Sequence, residues 1–514
     1  MSKTIVIIGA GLAGLSAALQ AAENGCNVKL VSSLPSERAQ SVMAEGGINA
    51  ALNTKDENDS PEEHFTDTIK AACGLADPNA VWGMTQAAPE LVHWLLKLGV
   101  QFNMSGYDDV DLRNFGGQKK KRTAFAQSDT GKQIMTAMID AVRRKEASGM
   151  VERFSHHSFL TLRLCGNICC GCVIRDEYSQ ETVELPGDAV IVATGGMHGL
   201  FGNTTGSLSN TGEVNAELFR LGVPLANGEM IQYHPTTVKC GGKRMLISEA
   251  ARGEGGRLFA MKDGKQWYFM EEKYPELGNL MPRDITAREI WKVSHESEVF
   301  LDMTEISDEI ISNKLSGLAD DCMTYLHKDI RKEPVSVLPG IHYFMGGILV
   351  DEQHRTPIQN LYAAGECCAQ YHGANRLGGN SLLGALYGGR VAAKSACEQA
   401  DVVDLSCATQ IDFPPASQIS EIKQLNKVMQ ETMGVVRNEN TLLNGIQTVQ
   451  ALTGNLPLLG MAVLKSALAR KESRGAHWRE DYPKSNDDDY LKTTVARFDG
   501  KQIQISFVPV PERR

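Results

Sequence analysis

Residues 4–14, TIVIIGAGLAG, constrain this chain more than any other stretch. Thr4 to Ile8 are a β-branched apolar run, the pattern of a parallel strand buried on both faces. Gly9, Gly11 and Gly14 follow with the spacing G-x-G-x-x-G, and Leu15–Glu23 reads as a helix. The first glycine permits a tight turn, the second lets backbone approach a pyrophosphate, and the third lets helix pack close on strand. The helix N-terminus offers unpaired N–H groups to phosphates. A strand, a tight turn and a helix in this order predict a bound dinucleotide. The second strand, Val28–Val31, ends in Ser32-Ser33. An NAD site carries Asp or Glu about 20 residues beyond the glycines to hold ribose hydroxyls. The serines weaken NAD and leave FAD open.

The chain has 514 residues, enough for several domains. A formal net charge of −10 argues against a nucleic-acid partner. There is no run of 18 apolar residues, so no membrane span is expected. The glycines of the N-terminal stretch fall on the nucleotide fingerprint, which argues against its being a signal peptide. The 12 cysteines are scattered, and a cytosolic enzyme keeps such cysteines reduced. Cys165, Cys169, Cys170 and Cys172 cluster, and Cys169 and Cys172 form a C-x-x-C. No second pair and no histidine ligands complete a metal site. The expected reading is a hairpin turning at Gly166-Asn167, with the cysteines as packing.

Gly46-Gly47 suggest close approach of backbone to a flat ligand. Residues 62–100 read as helical. Lys119–Arg122 is a basic run, read as a solvated loop face rather than a contact with an acidic partner. GDAVIVATGG (187–196) and NLYAAGE (360–366) are further buried strands ending in glycine. The segment between them is too long for a loop and predicts an inserted domain. The pattern turns helical from about Gln418. TTVARFDGKQIQISFVPV alternates like a hairpin around Asp499-Gly500.

GAGLAG, MAEGGINAAL, FGGQ, IVATGG, QYHPT, SEAARGEGG, PRDITAR, HYFMGG, LYAAGE, HGANRLGGNSLLGALYGG and ARKESRGAHWREDYP occur in one order along the chain. With these motifs the sequence resembles the flavoprotein subunits of succinate dehydrogenase and fumarate reductase, a superfamily that includes L-aspartate oxidase. The resemblance covers essentially the whole length. It implies an α/β fold with a Rossmann-like FAD-binding domain (1–228 and 343–400) and an inserted α+β capping domain (229–342). A helical domain (415–480) and a short β tail (481–514) follow. FAD contacts are implied at Gly9, Gly11, Gly14, Ser32, Ser33, Ser41, Gly46, Gly47, Thr194, Glu213, Glu366, Ser381 and Leu382. Glu366 would hold ribityl hydroxyls, and Ser381 and Leu382 would lie near the isoalloxazine. One departure matters. The family's histidyl-flavin position is Gln40 here, and glutamine cannot make that bond. Non-covalent FAD is therefore expected, with a tilt toward fumarate reduction or oxidase chemistry.

The resemblance also implies the reacting groups. Arg376 and His342 would hold one carboxylate of a dicarboxylate substrate, and His234 and Ser248 the other. A guanidinium suits such a group because it grips in a bidentate fork. Phe115 would wall the pocket. Arg283 matches the family's proton donor, with Glu249 and Arg252 as its relay. Arginine seldom releases a proton, so this role demands immediate replacement. The plainer reading is that Arg283 only neutralises substrate charge. Arg470, Arg474 and His477 in ARKESRGAH are read as packing against the FAD domain. No metal site is expected. The function expected is interconversion of fumarate and succinate, with L-aspartate oxidation as the alternative. A substrate-free electron-transfer subunit is disfavoured by the intact Arg283, His342 and Arg376. Electrons must come from a separate donor, an iron–sulfur subunit being the family's usual one. The location expected is cytoplasmic, or peripheral on the cytoplasmic membrane through partners.

Overall fold

The computed structural model describes residues 2–106, 109–401, 408–411, 413 and 418–514. Its centre is a five-stranded sheet built from Thr4–Ile8 (β1), Asn27–Ser32 (β2), Val151–Ser155 (β3), Ala189–Val192 (β4) and Leu361–Ala363 (β5). The spatial order is β5-β4-β1-β2-β3, and every pairing is parallel. Side chains alternate across a strand. Ile5 and Ile7 pack with the helices Leu12–Glu23 (α1), Thr130–Ala147 (α2) and Asn380–Gln399 (α3). Val6 and Ile8 point the other way, into a cluster with Leu162, Cys169 and Cys172. Both faces of β1 are covered, which is why its sequence is a continuous apolar run rather than an alternating one. A Cβ on Gly14 would stand 1.8 Å from the Gly9 carbonyl oxygen, so α1 can lie against the turn only with glycine there.

The cysteine segment is a hairpin. His157–Cys165 pairs antiparallel with Ile168–Asp176, closing at Cys165 opposite Ile168, so Gly166-Asn167 is the turn. Thr182–Pro186 adds a third strand. Cys169 and Cys172 are fully buried in the core, and burial pushes the Cys169 thiol up to about 12. The expectation that all cysteines are reduced is corrected at Cys165, which is disulfide-bonded. The segment expected to be helical over 62–100 forms Pro61–Ala71 and Pro78–Lys97, separated where Cys73 and Gly74 take positive φ and Asp77 caps the second helix.

Between β4 and β5 the chain builds two antiparallel sheets. Ile231–Cys240 lies between Lys243–Leu246 and Leu338–Phe344. Arg257–Lys262 lies between Lys265–Trp267 and Val299–Asp302. They share a core with Phe269, Ile290 and Leu318 that also takes in Phe115 from the first part of the chain. Phe115 therefore stands where the capping elements meet the nucleotide-binding elements.

Three helices follow: Ile419–Thr432, Glu439–Val449 and Asn455–Ala469. Residues 415–417 of the expected helical domain lie outside the described residues. The tail folds as expected into a hairpin of Lys492–Phe498 and Ile503–Pro509, and Gly500 takes φ +89° in the turn. Ala496 and Val495 pair with Leu225 and Ala226, so the tail completes a sheet begun much earlier in the chain.

Candidate active site

The glycine fingerprint opens at the carboxyl ends of β1 and β4. Gly9 takes φ +110°, and a Cβ there would meet the Ala193 carbonyl oxygen at 2.2 Å. Gly11 differs. A Cβ on it would meet nothing closer than the Ser41 hydroxyl at 3.7 Å, so the space over its backbone is open to a ligand. It caps α1 with no side-chain hydrogen bond, which leaves the helix N-terminus available to phosphate oxygens. The Ser41 hydroxyl accepts from the Leu12 N–H at 3.3 Å and closes one side of this mouth. At the end of β2, the Ser32 hydroxyl is buried with no hydrogen-bond partner, while Ser33 is exposed. A buried hydroxyl is seldom left unpaired, and a ribose oxygen would satisfy it.

Further along the cleft, Gly47 takes φ +134°, and a Cβ there would meet the Ala124 carbonyl at 2.5 Å. Gly46 lies against the Phe115 ring, where a Cβ would meet Cζ at 2.9 Å. Thr194 and Gly195 follow β4 and are partly exposed, as is Glu366 after β5. Burial of its carboxyl pushes Glu366 up to about 7, and its Oε1 accepts the Phe344 N–H at 3.1 Å. Ser381 and Leu382 occupy the first turn of α3 behind Gly379, again with no side-chain cap. Glu213 is exposed in the first turn of Glu213–Arg220, beside Gly212, which packs on Met197. An open Gly11 backbone, an orphaned Ser32 hydroxyl and a buried Glu366 carboxyl fit the phosphates and polyol hydroxyls of FAD.

Beyond Phe115 the chemistry becomes cationic. Arg283 opens the helix Arg283–Val293 and donates to Glu249 Oε2 from Nε at 2.9 Å and from Nη2 at 2.5 Å. Its Nη1 donates to Gln232 Oε1 at 3.1 Å. Arg252 donates from Nη2 to the other carboxylate oxygen, Oε1, at 3.2 Å. Glu249 thus bridges two buried guanidinium groups. Its place and that of Arg252 follow from the short helix Glu249–Gly253, which sets residues three apart on one face. Ser248, 4% exposed, precedes that helix.

His234 and His342 meet edge to face with centroids 5.1 Å apart, on the adjacent strands Ile231–Cys240 and Leu338–Phe344. His342 Nδ1 is 2.8 Å from the Thr205 hydroxyl. Burial, followed by the charge of Arg283, holds both imidazoles well below their ordinary range. They are neutral at pH 7 and offer hydrogen-bonding nitrogens rather than charge. Arg376 is 3% exposed, sits over the Tyr343 ring at 4.3 Å, and has an Nε with no partner. Burial and then Arg283 lower it to about 9. Burial pushes Glu249 up, but Arg283 and Arg252 outweigh it, and its carboxyl ends below the usual carboxylate range. Arg283, Glu249, Arg252, Gln232 and Gly116 form one bonded network, since the Gly116 N–H also donates to Glu249 Oε1 at 3.3 Å.

Some participants carried no expectation. Gln232 lies two residues before His234 in QYHPT, and its Nε2 donates to Asn375 Oδ1 and to the Arg376 carbonyl at 2.9 and 2.8 Å. It ties Arg283 to the segment that carries Arg376. Asn49 donates to the Gly378 carbonyl and to Asn380 Oδ1, both at 2.7 Å, and Gln118 of FGGQ donates to Asn49 Oδ1 at 3.0 Å. Glu45 is a further acidic group of this pocket. Its Oε2 is buried without a partner, and it interacts with Ser248 and faces Arg113, Asp321 and Asp129. Burial pushes it up to about 8. Arg113 donates to the Glu45 and Gly46 carbonyls.

The basic run needs a correction. Lys119 and Lys121 are exposed, but Arg122 is fully buried between Asp59 and Asp67, each 2.9 Å away. Position in a loop could not reveal that, because its two partners come from another segment. Arg474, expected as packing, donates to the Cys73 carbonyl at 3.2 Å, and the Ala476 N–H donates to the Ala374 carbonyl at 2.9 Å. Arg470 is fully buried and binds Glu229 and Glu472, and His477 Nδ1 lies 2.9 Å from Arg437 Nη1. The C-terminal segment thus braces the backbone just before Asn375 and Arg376.

Known proteins carry the same architecture. The FAD binding domain family matches residues 4–382, and the fumarate reductase flavoprotein C-terminal family matches residues 452–513. A succinate dehydrogenase flavoprotein subunit from Bacillus subtilis is 38% identical over all of this chain and 98% of its own length. The 8-methylmenaquinol:fumarate reductase flavoprotein subunit of Wolinella succinogenes is 32% identical over all of this chain and 92% of its own. Among solved structures, a point mutant of the E. coli quinol fumarate reductase FrdA superposes with a TM-score of 0.90 at 27% identity, over 99% of this chain and 97% of that one. The cleft, the cationic network and these matches agree: the chain is an FAD-dependent oxidoreductase that belongs to the family of succinate dehydrogenase and fumarate reductase flavoprotein subunits.

Proposed function

We propose that this protein binds FAD without a covalent link and interconverts fumarate and succinate, running chiefly as a fumarate reductase. The observation that carries the proposal is the Glu249 bridge between Arg283 and Arg252 beside Arg376. Three buried guanidinium charges stand against one carboxylate, with both histidines neutral. The pocket is left with the charge needed to hold a dianion. Arg376 and His342 take one carboxylate; His234 and Ser248 take the other. Phe115 separates this polar floor from the cofactor cleft and keeps water out.

FAD, when bound, would supply the hydride to one alkene carbon of fumarate. The chain supplies the proton. A guanidinium carries five N–H donors. Arg283 commits three of them to Glu249 and Gln232, which leaves one on each Nη nitrogen for substrate. When an Nη proton passes to the adjacent alkene carbon, Arg283 is left neutral; Glu249 passes it a proton taken from Arg252, and Arg252 regains one from water. The same carboxylate touches both guanidinium groups, so the relay needs no side-chain rearrangement.

Gln40 at the histidyl position supports dissociable FAD. The relatives are named as subunits, which supports an electron-donating partner, and we take that partner to be an iron–sulfur protein. Among the described residues no helix is long and apolar enough to cross a membrane. This is compatible with a cytoplasmic protein, peripheral on the membrane through its partners.

L-aspartate oxidation is the second reading, and one observation favours it. An amino-bearing substrate needs an acidic partner for its ammonium group, and Glu45 beside Ser248 offers one. The two readings separate in one experiment. Holoprotein reduced anaerobically with dithionite is mixed with fumarate, and oxidised holoprotein is mixed with L-aspartate in air. The proposal expects rapid flavin reoxidation by fumarate and none of the bleaching and peroxide that L-aspartate would produce. Bleaching by L-aspartate with no response to fumarate overturns it. Acid precipitation of the holoprotein should leave all flavin in the supernatant.

A further inference from the structure

His198 lies in none of the motifs that mark the site. It follows the glycines after β4, is 1% exposed, and has a buried Nε2 with no hydrogen-bond partner. Its ring is held firmly. A Cβ on Gly206 would meet the ring at 2.2 Å, so only glycine leaves room on that side. The Phe344 ring meets it edge to face with centroids 5.0 Å apart. Nδ1 lies 3.0 Å from the Thr204 hydroxyl, which also accepts the Gly206 N–H at 3.2 Å. With the Thr204 proton directed at Nδ1, the proton of the neutral ring sits on Nε2, an assignment made from the hydrogen-bond network.

That Nε2 points toward Glu366 Oε1 at 3.7 Å. The distance is too long for a hydrogen bond. A Cβ on Gly196 would meet the same Glu366 oxygen at 2.7 Å, so a glycine there makes room for the carboxyl. The buried Nε2–H thus has no acceptor, while Glu366 Oε1, which accepts the Phe344 N–H at 3.1 Å, stands beside it without supplying one. Leaving a buried donor such as this Nε2–H unpaired is costly. A hydroxyl group both accepts and donates, so one hydroxyl accepts from Nε2–H while donating to a remaining lone pair of the Glu366 carboxyl.

We propose that His198 is a flavin-binding residue: its Nε2–H and the Glu366 carboxylate together take one polyol hydroxyl of the FAD ribityl chain. Thr204 is the positioning residue that fixes the imidazole for this contact. The inference rests on FAD occupying the cleft as argued above. It adds a neutral donor to a contact otherwise made by a carboxylate alone.

The test is a double-mutant cycle on FAD affinity, read by quenching of flavin fluorescence on titration into apoprotein. His198→Leu should weaken FAD binding at least tenfold while the apoprotein melts within a few degrees of wild type. Thr204→Val should weaken it less, and His198→Asn, which keeps a side-chain N–H, should recover part of the loss. Because both groups act on one hydroxyl, His198→Leu should cost much less in a Glu366→Gln background than alone. Affinity unchanged within twofold in His198→Leu, or strictly additive losses in the cycle, overturns the proposal. A fall in apoprotein melting with no change in FAD affinity assigns His198 a purely structural role and overturns it as well. If wild-type apoprotein takes up no FAD at all, the cofactor reading itself fails, an outcome distinct from a selective loss in the variants. Should His198→Leu not fold, the Thr204→Val and His198→Asn affinities decide.

Discussion

Glu249→Gln removes a charge and little else, and the geometry says what should follow. The carboxylate gives Oε2 to Arg283 and Oε1 to Arg252. An amide has one oxygen and one NH2 group. Whichever way it turns, one guanidinium loses its acceptor and faces donors instead. Removing one partner of a buried ion pair costs about 3–5 kcal/mol. Here part is recovered, because the amide oxygen still serves one arginine, so a loss of ~2–3 kcal/mol in stability is expected. The effect on turnover should be larger. An interrupted proton relay forfeits roughly 10²- to 10⁴-fold. The assay is fumarate reduction with a reduced viologen dye, run with flavin content measured from absorbance and with FAD saturating. The expected result is a fall in kcat of at least about 10²-fold with FAD retained. A kcat within threefold of wild type would refute the relay and leave Arg283 as a mere counter-charge. The arginines hold Glu249 ionised below the usual carboxylate range, so its stabilisation is present at neutral pH and is lost only as pH falls through that depressed value.

Three further outcomes follow from particular contacts. Gly11→Ala should fold, since its Cβ meets nothing closer than 3.7 Å, yet lose FAD affinity; Gly14→Ala should fail to fold, since its Cβ falls 1.8 Å from a carbonyl oxygen. Apoprotein melting and FAD titration together check the pair. Arg122→Met strands Asp59 and Asp67 in the interior and should destabilise the protein by about 3–5 kcal/mol, measured by urea denaturation. Glu45 is held up to about 8, so raising pH through 8 adds a negative charge beside Ser248, facing Arg113, Asp321 and Asp129. The KM for fumarate should rise across that range and stay flat in Glu45→Gln. A raised carboxyl pKa also means stability from this group declines as pH climbs from about 4.5 toward 8.

The sequence carried the fold because its signals are local. A β-branched run, three spaced glycines and a helix cannot be much else, and a Gly-Asn turn between apolar runs is a hairpin. Arg283, His342 and Arg376 were named from the family resemblance of their motifs, and the fold brings the three close enough for their charges to act on one another. What escaped depends on distant neighbours. Arg122 looks like part of a lysine-rich surface until Asp59 and Asp67 close over it. Glu45 reads as one residue of a glycine turn until the structure brings Ser248 and Asp321 to it. His198 has no spacing partner at all; its significance comes from Glu366, which lies at the end of a strand formed much later in the chain. Gln232 could have been found, since it lies two residues from His234 on one face of a strand.

The central claim is that Arg283 delivers the proton. It is tested most directly by single-turnover reoxidation of the reduced holoprotein by fumarate, comparing wild type with Arg283→Lys by stopped-flow absorbance. Lysine keeps a positive charge but cannot reach Glu249 and Gln232 with the same fork. The account predicts that fumarate still binds, while flavin reoxidation slows by at least about 10²-fold. Reoxidation at the wild-type rate would show that a positive charge suffices at this position and would contradict the account.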